Sequence, residues 1–183
     1  MQTARAQLAF DRLAALDLAA CRALQRRTGE WAHALLATVS RLGDGWVWAA
    51  LALALLLADG PGALPTVFAM AMAAAAGMPL YVLLKRRMAR PRPCAADGSG
   101  LRALVPALDL YSFPSGHTLH AVAFTIVVLG HYPGLAWLLV PFAVLVALSR
   151  VVLGLHYPSD VAAGAALGTL LGLLPRLVTQ AVG

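Results

Sequence analysis

Two long stretches without charge constrain the fold of this chain most strongly. No Asp, Glu, Lys or Arg occurs in residues 63–84 or in residues 118–149. A segment inside a bilayer must satisfy its own backbone hydrogen bonds, and an α-helix of about 20 apolar residues does so while crossing a core of about 30 Å. The sequence therefore predicts an all-α membrane protein.

The composition agrees with that prediction. Of 183 residues, 61% are hydrophobic and only 12% are charged, with a mean hydropathy of +0.77, whereas about a quarter of a soluble domain is charged. The length suits a single domain over 1–183. The net charge is +6, but the cations flank apolar spans, so we expect anionic lipid headgroups as partners and no nucleic acid. Charges in the first 27 residues interrupt any apolar run, which argues against a cleavable signal peptide.

Turn-forming residues divide the chain into about five transmembrane helices. They are predicted at 45–58, at 63–84, on either side of a break at 130–134 within the second uncharged stretch, and at about 159–178. Residues 1–42 are predicted to be interfacial, with an amphipathic helix over 3–27 and a short helix over 30–42, and residues 43–180 to form the bundle. Small residues every fourth position predict close helix packing, within the bundle or between copies, so the oligomeric state stays open. These positions are Ala69, Ala73 and Gly77, and Gly164, Gly168 and Gly172.

Three polar strings stand out against this apolar background. They are Lys85 with Arg92-Pro93, then Pro114-Ser115-Gly116-His117, and finally Ser149-Arg150 followed by His156 and Asp160. Five spans place all three strings on one side of the membrane. Charged groups beside a bilayer are costly and usually functional, so we expect the strings to form one site.

The residue types in these strings suit a phosphate group. Ser115 is a plausible N-cap of the next helix, and Gly116 allows the backbone to approach a ligand closely. The free N–H groups of that helix start favour an anion. Lys85, Arg92 and Arg150 can bind the remaining oxygens. Asp97 and Asp109, in the connection between the first two strings, are expected to be solvated.

The two histidines suit nucleophilic transfer of that phosphate. Asp160, four residues after His156, would fix the tautomer of the ring and leave the other nitrogen free to attack. His117 would protonate the leaving oxygen as general acid. Each residue also has an ordinary structural role, as a helix cap, an interfacial histidine or the cationic flank of a span. Only their joint occurrence favours catalysis.

The three strings resemble the signature motifs of the type 2 phosphatidic acid phosphatase superfamily, which includes lipid phosphatases and vanadium haloperoxidases. The resemblance implies a hydrolase of membrane-lipid phosphate bonds with His156 as nucleophile, Asp160 as its partner and His117 as acid. It implies a phosphate pocket of the other motif residues, and neither metal nor other cofactor. The segment 41–45 also resembles small bacterial members. A second Arg-Pro pair, Arg90-Pro91, leaves the register of the first string open.

The resemblance leaves the substrate and some alternatives open. Lipid substrates of polyprenyl diphosphate, phosphatidylglycerophosphate or phosphatidic acid type all fit. A phosphotransferase using the same phosphohistidine and a non-catalytic lipid-phosphate binding or transport protein are the alternatives. We expect a multi-pass protein of the bacterial inner membrane. Most Lys and Arg residues lie on the side of the site, which by the positive-inside rule would be cytoplasmic. The resemblance to bacterial relatives instead favours an extracytoplasmic site.

Overall fold

The computed structural model describes the backbone of residues 2–107 and 109–182, and the side-chain surroundings of 12–107 and 109–175. Over that part of the chain the only β-pairing is an isolated bridge between Pro91 and Tyr111, so the prediction of an all-α fold is confirmed. The helices are α1 (Gln2–Arg27), α2 (Glu30–Leu42), α3 (Trp46–Asp59), α4 (Leu64–Met88), α5 (Gly116–Leu129), α6 (Ala136–Val152) and α7 (Pro158–Val182).

Helices α3 to α7 lie where the five spans were predicted. By length and composition, two described stretches are able to cross a membrane: Trp46–Met88, which joins α3 and α4, and Pro133–Val152. Gly116–Leu129 is apolar but shorter. A 3-10 turn, Gly60–Ala63, separates α3 from α4 at the predicted break. The number of crossings stays a prediction.

Helix α5 is the centre of the bundle, because α4, α6 and α7 all pack on it. The close contact between α5 and α7 depends on glycines of α7, which have no side chain. A Cβ added at Gly168 would lie 2.3 Å from the Leu119 carbonyl oxygen, and one at Gly164 would lie 2.5 Å from that of Ser115. A Cβ at Gly172 would lie 2.9 Å from the Ala123 carbonyl oxygen, also on α5. The glycine stripe of α7 therefore serves packing within the bundle. The oligomeric state stays open.

Helix α1 is docked on the bundle through its polar side. The Arg22 guanidinium donates to the Ser99 carbonyl at 2.7 Å, and the Gln25 amide donates to the Arg102 carbonyl at 2.9 Å. Leu16, on the other side, is 69% exposed. The side of α1 that carries Arg22 and Gln25 thus binds the protein's own loops. The amphipathic character of the helix and its interfacial location stay predictions.

Candidate active site

The structure brings the three strings together at one end of the bundle. Lys85, His117, Arg150 and His156 line a single cavity. Arg92 approaches from beside it, with Nη1 3.4 Å from Nε2 of His156. Side chains from α4, α5, α6 and the two connections after α4 and α6 thus meet in one place, as the span count predicted.

His156 lies in the short connection between α6 and α7 and is almost completely buried. Its Nδ1 lies 2.6 Å from the Ser112 carbonyl oxygen, which can only accept, so Nδ1 carries the proton. Nε2 is therefore unprotonated, and its lone pair faces Arg92 Nη1 at 3.4 Å. Burial, opposed by Asp160 and reinforced by Arg150 and Arg92, lowers the pKa of His156 from 6.5 to about 3. The ring is therefore neutral at neutral pH, which is the form that a nucleophile needs.

The Asp160 carboxylate is not the nearest partner of this ring. Its Oδ2 is 3.7 Å from His156 Nδ1, beyond a hydrogen bond, and accepts instead from the Tyr157 backbone N–H at 2.8 Å. Its Oδ1 accepts from Arg90 at 2.7 Å. The sequence predicted that Asp160 fixes the tautomer, whereas in the structure the Ser112 carbonyl holds Nδ1 and Asp160 supplies a nearby buried negative charge.

His117 lies in the first turn of α5, and its Nε2 contacts the carboxylate of Asp44. Asp44 lies between α2 and α3 and also lines the cavity. It was absent from the predicted site. The only signal for it in the sequence was the resemblance of segment 41–45 to small bacterial proteins, which carried no chemistry by itself.

The two cations of the first string share a carboxylate. Oδ1 of Asp109 lies 3.1 Å from Lys85 Nζ and 2.7 Å from Arg92 Nη2. Although burial works the other way, Lys85 and Arg92 lower the pKa of the Asp109 carboxyl below its ordinary value. Asp109 is exposed, as expected for a loop carboxylate, with 39% of its side chain accessible. Its pairing with these two cations was not predicted from the sequence. The same attraction would act on a substrate phosphate.

The second string opens α5 as predicted. Ser115 is the N-cap, and its hydroxyl accepts from the Thr118 N–H at 3.4 Å and pairs with the Thr118 hydroxyl. The Ser115 side chain is fully buried, so its part in binding phosphate stays a prediction. Gly116 lines the cavity. Arg150 is buried, donates to the Ser40 hydroxyl and lines the same cavity.

The structure distinguishes the two Arg-Pro pairs. Arg92 is the one beside His156, while Arg90 turns away to Asp160 and to Asp17 of α1. The predicted register of the first string therefore fits the geometry. Neither Arg90 nor Asp17 was predicted as part of the site.

The cavity has a volume of about 810 Å³ and two chemically different parts. Its polar end carries the histidines and cations described above. Its walls come from α3 and α4 and are apolar: Trp48, Ala52, Val67, Met70, Ala74 and Met78. Among the described residues, no cluster of three or more His, Cys, Asp or Glu side chains is arranged to hold a metal ion.

Comparison with known proteins identifies the family. The profile of the PAP2 superfamily matches residues 62–182. The chain belongs to the PAP2 superfamily. Two solved structures share the fold, each with a TM-score of 0.73. One is the transmembrane PAP2 type phosphatidylglycerolphosphate phosphatase from Bacillus subtilis, 24% identical over 94% of this chain and 88% of that one. The other is LpxE from Aquifex aeolicus, 26% identical over 88% and 95%.

Curated PAP2 relatives carry the names of several phosphatases. The decaprenylphosphoryl-5-phosphoribose phosphatase of Mycobacterium tuberculosis is 40% identical over 52% of this chain and 51% of its own length. The lipid A 1-phosphatase of Rhizobium johnstonii is 35% identical over 55% and 43%. The undecaprenyl-diphosphatase BcrC of Bacillus subtilis is 34% identical over 54% and 50%. The chain thus spans about half the length of these relatives.

Proposed function

We propose that this protein is a membrane phosphatase that hydrolyses a lipid phosphate or lipid diphosphate through a phosphohistidine at His156. One observation carries the proposal. The unprotonated Nε2 of a neutral, buried histidine lies 3.4 Å from Arg92 Nη1, at the polar end of a largely apolar cavity that Lys85 and Arg150 also line. A nucleophile, an anion site and a space for a hydrocarbon chain therefore meet in one place.

In the first step, the His156 Nε2 lone pair attacks phosphorus and a P–N bond forms. The P–O bond to the lipid breaks, and the leaving oxygen takes a proton from His117. Lys85, Arg92 and Arg150 stabilise the charge that builds on the transferred phosphoryl oxygens. The Ser112 carbonyl and the Asp160 carboxylate stabilise the ring, which becomes cationic when its Nε2 is phosphorylated.

In the second step, a water molecule attacks the phosphorus of the phosphohistidine. The neutral His117 accepts a proton from that water, the P–N bond breaks, and inorganic phosphate leaves. The Asp44 carboxylate contacts Nε2 of His117 and so orients the ring, whose proton the first step consumes and the second step restores. The cations already on the chain supply the positive charge that the transfer needs, so the proposed cycle uses no metal or other cofactor.

The walls of the cavity favour a lipid over a soluble phosphate ester. A tail lying against α3 and α4 would contact apolar side chains such as Met70 and Met78. Each buried CH₂ group contributes about 0.8 kcal/mol to binding. The names of the relatives fit a lipid-linked phosphate of polyprenyl, glycerolipid or lipid A type. We place the protein in the bacterial inner membrane with the site on the extracytoplasmic face.

A substrate panel tests the proposal. Purified protein in detergent is given polyprenyl, glycerolipid and lipid A phosphates, and released inorganic phosphate is measured with and without added alcohol acceptors. Hydrolysis predicts free phosphate from at least one lipid; a phosphorylated acceptor in its place would indicate a phosphotransferase. Saturable binding without turnover would instead indicate a binding protein. Reporter fusions to the connection between α4 and α5 test the face of the membrane.

A further inference from the structure

The N-terminal helix is linked to the active site through three charged side chains, of which the two carboxylates are buried. Arg90 donates from Nη1 to the Asp160 carboxylate at 2.7 Å and from Nη2 to the Asp17 carboxylate at 2.8 Å. Its guanidinium carbon lies 3.9 Å from the centre of the Tyr157 ring. The planar guanidinium of Arg90 is held at both terminal nitrogens and on one face, so it has little freedom to move. Arg90 therefore holds Asp160 at a defined position.

Both carboxylate oxygens of Asp17 accept hydrogen bonds within this cluster. It accepts from the Ser159 backbone N–H at 3.1 Å and from the Ser159 hydroxyl, as well as from Arg90. Its side chain is only 4% exposed. A carboxylate this buried is costly to hold unless it is paired. Its partners are Arg90 and the residue immediately before Asp160, so the position of α1 is linked to that of Asp160.

The charges of Asp17, Arg90 and Asp160 explain why the carboxylate of Asp17 is useful in addition to that of Asp160. Asp17 and Asp160 are each −1 and Arg90 is +1, so the three groups together leave one negative charge beside His156. Without Asp17, Arg90 would cancel the charge of Asp160, and the cationic phosphohistidine ring would lose its counter-charge. Opposite charges a few ångströms apart in a buried site interact strongly.

We propose that Asp17 is a positioning residue of the active site, acting through Arg90 on Asp160 and His156. This inference rests on the proposed phosphohistidine reaction and adds to it a residue that lies outside the part of the chain matched by the family profile, 62–182. Helix α1 then helps to position the catalytic groups through Asp17.

The test compares kcat and KM of four variants with those of the wild-type chain on the lipid phosphate that it hydrolyses best. Asp17→Asn removes the charge and keeps the shape. Arg90→Lys keeps the charge and loses the fork without altering α1. Arg90→Gln removes the charge of Arg90. Together with Asp17→Asn and the double variant that carries both changes, it completes a double-mutant cycle. We expect Asp17→Asn and Arg90→Lys to lower kcat about 10- to 100-fold with KM nearly unchanged, because small misplacements of catalytic groups cost about that much.

The double variant should lose no more than the worse of its two single variants, because both act through one link. Losses that multiply, or a wild-type kcat in Asp17→Asn and Arg90→Lys, would overturn the inference. Arg22→Gln is the matched control, since it removes another polar anchor of α1 that has no contact with Arg90. It should keep the wild-type kcat; an equal loss there would assign the effect to helix docking alone and contradict a specific role for Asp17.

His156→Ala, measured beside these variants, separates the two proposals. If His156→Ala is inactive and Asp17→Asn is fully active, the phosphohistidine reaction stands and the positioning role fails. If His156→Ala turns over like the wild-type protein, the reaction itself is refuted.

Discussion

The two sides of the bundle are packed in opposite ways. Where α7 meets α5, glycines bring the helix backbones into direct contact, and no room remains for even a methyl group at Gly168. On the side of α3 and α4, a cavity of about 810 Å³ lies between these two helices and α5. Close contact fixes geometry, and open space admits a ligand. In the proposed reaction, the tightly packed side would hold the reacting groups and the open side would admit the substrate.

Each side contributes groups to the one site. The rigid side carries His117 and places Asp160 at the start of α7. The open side contributes Lys85 from the end of α4 and Asp44 from just before α3. The contact between Asp44 and His117 joins the two sides across the cavity. A change on the rigid side should therefore affect stability first, and a change on the open side should affect substrate binding first.

The largest expected effect is at the contact that joins the two sides. Asp44→Asn keeps the size of the side chain and removes its charge, so the protonated form of His117 loses its partner. We expect kcat to fall about 100-fold, the usual scale of general acid catalysis, with a much smaller change in KM. Steady-state phosphate release measures both. Asp97→Asn, an exposed carboxylate in the connection after α4, is the control, and an equal loss there would contradict the assignment.

The rigid side is tested by adding one methyl group. Gly168→Ala would place a Cβ 2.3 Å from the Leu119 carbonyl oxygen, so α5 and α7 must separate. Overpacking of this kind costs about 1 to 3 kcal/mol, which thermal unfolding in detergent detects as a lower midpoint. Gly134→Ala is the matched control, because nothing lies within 4 Å of a Cβ there. Equal midpoints for the two variants would show that the α5–α7 contact is not tight.

The open side is tested by filling it. Ala71 lines the cavity, whereas the exposed Ala75, one turn along the same helix, does not. We expect Ala71→Phe to raise KM for a long-chain lipid phosphate about tenfold, or about 1.4 kcal/mol. Hydrolysis of a tail-free phosphate monoester should be unchanged, and Ala75→Phe should resemble the wild-type protein. A KM that rises equally for both substrates would place the tail elsewhere.

The most gradual effect is the dependence of stability on pH. His156 has a pKa of about 3 in the folded protein against an ordinary 6.5, so between these values the unfolded chain binds the extra proton. Stability therefore falls as pH falls through that window, by up to about 1.4 kcal/mol per pH unit from this group. We expect His156→Gln to show a shallower slope between about pH 6 and pH 4. Unfolding midpoints across that range measure it, and equal slopes would contradict a buried neutral ring.

The sequence predicted much of this arrangement, because apolar length and turn residues determine where helices begin and end. Once five helices were placed, the convergence of His117, Arg150 and His156 followed from parity. The glycine stripe of α7 likewise followed from its spacing. These features depend on local pattern, which a single sequence contains.

The remaining features depend on contacts between distant segments. Nothing around Asp17 indicates that α1 docks on Arg90, 73 residues away. The Ser112 carbonyl that holds His156 is a backbone group, so no side-chain pattern marks it. Asp109 looked like an ordinary loop carboxylate, and only the folded connection brings it to Lys85 and Arg92.

The most direct test of the central claim is to trap the phosphorylated intermediate. The wild-type protein is mixed with a lipid substrate labelled at its terminal phosphate, quenched within one turnover, and analysed for label on the chain. A phosphohistidine is stable in base and labile in acid, and peptide mapping should place it on His156. Label that resides on another residue, or that remains in the His156→Ala variant, would contradict the account.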